Sequence, residues 1–281
     1  MGGLMNNELD VMNNIDSFIN SFVNMYSQEY KIPETLRCKI QIVDNIAEAT
    51  KEFMNRTNRK YIVDETDYNG TTCIPNVITD EIEIHISKKL IENYRANNWQ
   101  FICTLFHELT HAVDFYNYCS KYFQGNYDSM INGDPYGFHM WTEFNAKQKS
   151  YLLYSRFIRK CMEESKLPVG KPTDGELEFQ NDYITKSIKA NGSKIAIYDI
   201  IQYLGRYYCW EIDYPDDFAD GKQFPEIFKQ NLEPEITDLY NALKKSDDSI
   251  MYYNEIARLI RFLIGKLVMI EHDDGGTLIL D

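Results

Sequence analysis

The sequence predicts an α+β fold that is mainly helical, with a small mixed β-sheet in its N-terminal part and a helical C-terminal part. Two patterns carry this prediction: apolar and polar residues alternate before residue 88, whereas apolar residues recur at helical spacing after residue 97. The composition is that of a globular chain, because 44% of the 281 residues are hydrophobic and 26% are charged. We expect the sheet to pack on the first long helix after residue 97.

The N-terminal part shows two helical patterns and three strand patterns. Helices are predicted for residues 8–30 and Ala47–Asn58, and strands for Cys38–Val43 and Tyr61–Asp67, the latter before a turn at Asn69-Gly70. The clearest strand is Ile82–Ser87, because its isoleucines alternate with polar residues. This alternation predicts one apolar face and one polar face.

Helical patterns fill most of the remaining chain. The first is predicted to run from Asn97 or Asn98 to about Cys119, because a capping-box pattern starts there. A polar loop at Ser120–Gly137, a long helix at Met140–Glu164 and a connector rich in Pro and Gly at Leu167–Gly175 follow. Further helices are predicted for Ser193–Trp210, Pro225–Gln230, Pro234–Lys245 and Ile250–Ile270, before a loose acidic tail at Glu271–Asp281.

The charge balance and the N-terminus argue against several classes of partner. With 29 Lys and Arg against 43 Asp and Glu, the net charge is −14, and nucleic acids and anionic membranes both favour a basic surface. The N-terminus has no cationic patch before an apolar core, and no apolar run approaches the roughly 20 residues of a membrane span. The six cysteines are scattered without a CxxC pattern, which favours reduced thiols. We therefore expect a cytoplasmic protein that binds neither nucleic acid nor membrane.

The residues that carry chemistry lie in the first long predicted helix. Residues 107–111 read His-Glu-Leu-Thr-His, and one helical turn places His107 and His111 on the same face, where both imidazoles can reach one metal ion. Glu108 follows the first histidine directly and can reach a water molecule on that ion. Asp114 lies on the same helical face and is predicted to orient a ligand imidazole through a hydrogen bond. The pattern therefore predicts a catalytic metal site rather than a pair of packed histidines.

A catalytic zinc ion usually takes three protein ligands and a water molecule, so a third ligand has to come from another part of the chain. Glu143 lies 32 residues after His111, near the start of the next long helix, and is the predicted third ligand. His139 is the main alternative that is not a carboxylate. The lesser alternatives are Glu163, Glu164, Glu176 and Glu178. Two histidines and a carboxylate suit Zn²⁺ best among the divalent ions.

The segment around the motif resembles a known group of enzymes. It reads HELTHAV, which looks like the active-site helix of thermolysin-type zinc peptidases, and HELTHAVD with a downstream EFxA is similar to the catalytic domain of anthrax lethal factor. Both are gluzincins, and the resemblance covers residues 99–150. It implies a zincin-like fold in which His107, His111 and Glu143 bind zinc. It also implies that Glu108 is the catalytic base. The chain departs from these families at Lys147, where they often have a carboxylate.

These observations predict a zinc-dependent metallopeptidase with a single catalytic domain over residues 1–281. Residues 1–119 are expected to form an α/β subdomain with the active-site helix, and residues 120–281 a helical subdomain with the third ligand. Glu108 is expected to act as the general base toward a zinc-bound water that attacks a peptide bond. Tyr136 or His139 is expected to stabilise the oxyanion that results.

A peptide or protein substrate is expected to add its backbone to the edge of the strand Ile82–Ser87. The residues predicted to bind it are Ile82, Glu83, Ile84, His85 and Ile86. Two other hypotheses are a catalytically silent zinc-binding protein that docks a regulatory partner, and a metal-free helical binding module. Glu108 favours the enzyme, because a purely structural zinc site needs no base beside it.

Overall fold

The computed structural model describes residues 14–59, 69–92, 94–133, 136–166, 174–245 and 248–273. Over these residues the structure is mainly helical, with 74% helix and a small three-stranded mixed sheet, which confirms the predicted α+β class. The predicted strand Tyr61–Asp67 lies outside the described residues, as does the predicted tail after Asp273. No helix in the described ranges has both the length and the apolar character needed to cross a membrane.

The chain divides into two compact units. The first contains Met1–Asp134 and Lys149–Phe157, and the second contains Pro135–Gln148 and Ile158–Asp281. The long helix Tyr136–Glu164 is continuous and contributes segments to both units. The predicted subdomains, residues 1–119 and 120–281, have different bounds from these two units, and that division stays a prediction.

The first unit contains the sheet and the helix of the His-Glu-Leu-Thr-His motif. Its elements are α1 (Ile15–Glu29), β1 (Cys38–Val43), α2 (Ile46–Arg56), β2 (Gly70–Cys73), β3 (Ile82–Ser87), α3 (Lys89–Glu92), α4 (Tyr94–Tyr122) and α5 (Tyr127–Asn132). The strands β1 and β3 have the predicted bounds, whereas β2, α3 and α5 were not predicted. Helix α4 begins at Tyr94, so the predicted capping box at Asn97 is wrong, because that residue lies inside the helix.

The sheet has the strand order β1–β3–β2, so β3 is its central strand. It is mixed, because β1 pairs with β3 in parallel whereas β2 pairs with β3 antiparallel, with Thr72 opposite Ile84. Strands β2 and β3 both pack on α4, as expected. All six side chains of β3 are buried, so its polar side chains are covered rather than exposed to solvent.

A cation from α2 explains why the polar side chains of β3 can be buried. Arg56 Nη2 donates a hydrogen bond to Glu83 Oε2 at 2.7 Å, and His85 Nε2 lies 3.2 Å from the same oxygen. Burial raises the pKa of Glu83, but the hydrogen bonds from Arg56 and His85 outweigh it and lower that pKa. Burial lowers the pKa of His85 despite the neighbouring Glu83, so its imidazole is neutral at pH 7.

Helix α1 supports the motif helix through an apolar stripe at helical spacing. The buried residues of the stripe are Phe18, Ile19, Phe22 and Tyr26. The ring of Phe22 packs edge-on against Phe106 with centroids 6.0 Å apart, and the Tyr26 hydroxyl lies 3.0 Å from Thr110 Oγ1. Because Phe106 and Thr110 lie within one turn of the motif histidines, these contacts fix the back of the motif helix.

We expect Arg59→Ala to destabilise the first unit by about 3 kcal/mol, because it removes several hydrogen bonds made by one charged group. The Arg59 guanidinium donates to the carbonyl oxygens of Ile74 and Pro75, and to Asp128 Oδ1 on α5. Denaturant unfolding of the variant measures the loss. The control is Arg258→Ala, which breaks an exposed pair with Glu255 and should change little. Equal stability of the two variants would contradict this assignment.

All regular secondary structure in the described residues of the second unit is helical. Its helices are α6 (Tyr136–Glu164, in part), α7 (Asp174–Ala190), α8 (Ser193–Asp213), α9 (Pro215–Phe218), α10 (Glu235–Leu243) and α11 (Ile250–Asp273), with a π-helical turn at Phe228–Leu232. Predicted helices are found at α6, α8, α10 and α11, and the predicted helix Pro225–Gln230 overlaps the π-helical turn, whereas α7 and α9 were not predicted. The core surrounds Tyr207, whose ring contacts Phe224 at 4.6 Å and Phe218 at 5.5 Å between centroids.

Two glycines allow the helices of the second unit to approach closely. A Cβ atom at Gly205 on α8 would lie 2.6 Å from the carbonyl oxygen of Phe144 on α6. A Cβ atom at Gly137 on α6 would collide with the backbone of Tyr253 on α11. The first half of α6 is therefore held by backbone contacts with both α8 and α11, which fixes the part of α6 that carries Glu143.

Candidate metal centre

The motif histidines lie side by side on α4, as the sequence predicts. The Nε2 atoms of His107 and His111 are 2.9 Å apart, and the two rings are nearly perpendicular, at 88°. The His111 ring also stacks on Phe115, with centroids 5.7 Å apart. Two imidazole nitrogens bound to a tetrahedral zinc ion at ~2.0–2.1 Å are about 3.3 Å apart. A small increase in the distance between the two Nε2 atoms therefore suffices to admit a cation.

A carboxylate from α6 joins the two imidazoles. His107, His111 and Glu143 each offer one ligand atom, and these three atoms all lie within 4.8 Å of one another. Among the described residues, this is the only group of three or more His, Cys, Asp or Glu side chains that is so arranged. The alternative ligand His139 and the four lesser carboxylates do not belong to the group. The donor set of two nitrogens and one carboxylate fits zinc.

Glu108 is held by a residue that sequence reasoning missed. The Thr72 hydroxyl on β2 donates a hydrogen bond to Glu108 Oε2 at 2.8 Å and lies 3.0 Å from the backbone carbonyl oxygen of Glu108. A Cβ atom at Gly70 would lie 2.6 Å from Thr104 Cγ2 and 3.1 Å from Glu108 Cγ, so β2 runs directly against α4 here. The carboxylate of Glu108 is buried and has a fixed hydrogen-bond donor.

The structure corrects the prediction that a substrate backbone adds to β3. Because β3 is the central strand, its backbone groups pair with β1 on one side and with β2 on the other. No substrate backbone can add to it, so the assignment was wrong for its five residues, namely Ile82, Glu83, Ile84, His85 and Ile86. In the part of the chain that the structure describes, β2 has a strand neighbour on one side only.

The remaining predicted site residues lie on the two helices that carry the ligands. Asp114 is buried on α4, three residues after His111. Tyr136 and His139 precede Glu143 by seven and four positions on α6, which places all three on one helical face. Burial raises the pKa of Tyr136 although Arg261 opposes this, so its phenol keeps its proton at pH 7. Their roles in orienting a ligand or stabilising an oxyanion stay predictions.

Comparison with known proteins adds no relative. No family model, no curated protein and no solved structure matches this chain.

Proposed function

We propose that this protein is a zinc-dependent peptidase of the gluzincin type. The observation that carries the proposal is the grouping of one ligand atom each from His107, His111 and Glu143 within 4.8 Å. Glu108 adds the second element, because it follows His107 directly and its carboxylate is buried and held by Thr72. A zinc site that only stabilises a fold has no use for such a carboxylate, and this favours the enzyme over a silent zinc-binding protein.

The roles of the residues follow from their chemistry. His107, His111 and Glu143 would hold the ion, which when bound supplies a water of lowered pKa and polarises the substrate carbonyl. Glu108 accepts a proton from the attacking water and later delivers a proton to the leaving amine nitrogen. Thr72 keeps the Glu108 carboxylate in place during both transfers. Tyr136 or His139 donates a hydrogen bond to the oxyanion.

The substrate backbone would bind along β2 rather than β3. An extended peptide can add to a strand that has a neighbour on one side only, through main-chain hydrogen bonds. Thr72 lies on this strand with its hydroxyl on Glu108, so a peptide paired with β2 would pass beside the base.

The proposal is tested by incubating the zinc-loaded protein with a diverse peptide library and analysing the products by mass spectrometry. We expect cleavage that stops when the metal is removed by a chelator and returns when zinc is added back. Protein that binds zinc through the motif histidines but cleaves no peptide and no lysate protein would favour the silent zinc-binding alternative. Protein that binds no zinc would favour the metal-free binding module.

A further inference from the structure

The amide of Gln202 connects α8 to the proposed ligand Glu143. Gln202 Nε2 lies 2.7 Å from Glu143 Oε2 and 2.9 Å from the hydroxyl oxygen of Tyr198. Tyr198 precedes Gln202 by one helical turn on α8, and all three residues belong to the second unit. A side chain 59 positions away in sequence thus contacts the carboxylate directly.

The chemistry of the carboxylate fixes the orientation of the amide. An ionised carboxylate only accepts hydrogen bonds, so the NH₂ group of Gln202 and not its oxygen must face Glu143. The NH₂ group has two hydrogens, and it uses one on Glu143 and one on the oxygen of Tyr198. Tyr198 thereby anchors the amide, which limits the rotation of a side chain that would otherwise sample many rotamers.

The backbone of α8 is placed to favour this contact. Gly205 lies one turn after Gln202, and a Cβ atom there would be 2.6 Å from the carbonyl oxygen of Phe144, the residue after Glu143. The ring of Tyr208 stacks on Phe144 with centroids 5.8 Å apart. The crossing of α8 and α6 is therefore fixed next to the Gln202 contact.

We propose that Gln202 is a positioning residue for the metal ligand Glu143, an inference that rests on the proposed metal site. A ligating carboxylate that is hydrogen-bonded by an outer partner is held in its ligating orientation, and loss of such a partner typically weakens metal binding 10–100-fold. Gln202 binds Oε2 of Glu143, and a carboxylate has a second oxygen that can ligate an ion. The NH₂ group of Gln202 is neutral and only donates hydrogen bonds, so it does not compete with the imidazoles for a ligand position on the ion.

The experiment measures the zinc dissociation constant of the full-length protein by competition with a chromogenic chelator. Gln202→Leu keeps a side chain of similar volume and removes the donor, and we expect zinc to bind roughly 10–100-fold more weakly. Gln202→Glu keeps the shape but places a second carboxylate beside Glu143, and we expect a loss at least as large. The matched control is Gln230→Leu in the π-helical turn, where the side chain is exposed and zinc affinity should not change.

The thermal stability of the metal-free variants separates positioning from folding. If Gln202→Leu unfolds, Gln202→Glu carries the test, and its metal-free form should melt near the wild type. Wild-type zinc affinity in a folded Gln202 variant would overturn the inference. The measurement needs no substrate, so protein that binds zinc but cleaves nothing refutes the peptidase alone. Wild-type protein that binds no zinc refutes both.

Discussion

Glu108→Gln should lower kcat/KM for peptide cleavage by roughly 10²–10⁴-fold, the range that general acid–base catalysis contributes. The substitution keeps the size of the side chain but removes the basic oxygen that, in the proposed mechanism, takes the proton from water. Zinc content should stay at the wild-type level, because Glu108 is not in the ligand group. Steady-state kinetics on a peptide found in the library screen, together with elemental analysis of each preparation, measure both quantities.

The controls for this substitution test position as well as charge. Glu92→Gln makes the same chemical change at an exposed site on α3 and should leave kcat/KM unaltered. Thr72→Val removes the hydroxyl that holds Glu108, and we expect kcat to fall about tenfold. Thr72→Ser keeps a hydroxyl at this position, and its kcat should stay near the wild-type value. Full activity of Glu108→Gln with zinc bound would rule out the proposed base.

His111→Ala should abolish zinc binding and the thermal stabilisation that zinc gives. A ligand present at 1,000 times its Kd stabilises the folded state by about 4 kcal/mol, which corresponds to a rise in Tm of about 8 °C for a protein of this size. The wild type should show this rise when zinc is added to the metal-free protein. His111→Ala should show none, because one imidazole and one carboxylate hold zinc weakly. Differential scanning calorimetry measures the shift.

Two further variants decide which side chains are ligands. Glu143→Gln should also lose the zinc-dependent shift, whereas His139→Ala should keep it, because His139 lies outside the ligand group. His272→Ala, near the end of α11, controls for non-specific loss of an imidazole. Retention of the shift by His111→Ala would place the metal elsewhere in the chain.

The sequence predicted the motif from local periodicity and its third partner from the order of the helices. One helical turn determines that His107 and His111 share a face, and this required no knowledge of the fold. Glu143 followed from a simple expectation, namely that the next long helix supplies the missing carboxylate. The grouping of these three side chains in the structure agrees with that expectation.

The role of β3 was wrong because its second strand neighbour, β2, was not predicted, and the burial of its polar side chains depends on a partner that is distant in sequence. Alternating residues indicate a half-exposed strand unless something neutralises the polar face. Here Arg56, 27 positions before Glu83, supplies the neutralising charge from α2. Strand β2, which has a strand neighbour on one side only among the described residues, has four residues and little apolar pattern, so periodicity does not predict a strand there.

The missed helix α7 and the missed contact of Gln202 have similar causes. In α7, Ile184 and Ile188 are buried but the larger Phe179 and Tyr183 are exposed, so only some of its apolar residues mark the buried face. Gln202 is a common polar residue on a predicted helix, and only the crossing of α8 and α6 brings it to Glu143. Tertiary contacts of this kind leave no periodic signal in the chain.

The pairing of β2 with β3 determines more than the shape of the sheet. A slip of one position would turn every side chain of β2 to the opposite face, so Thr72 would point away from Glu108. Cys73, now 3.8 Å from His85 Nδ1 in the buried polar cluster, would leave that cluster. A one-residue deletion within β2 would therefore misalign the base while leaving both histidines and Glu143 intact. The proposed activity would then depend on the register of β2 as well as on the metal ligands.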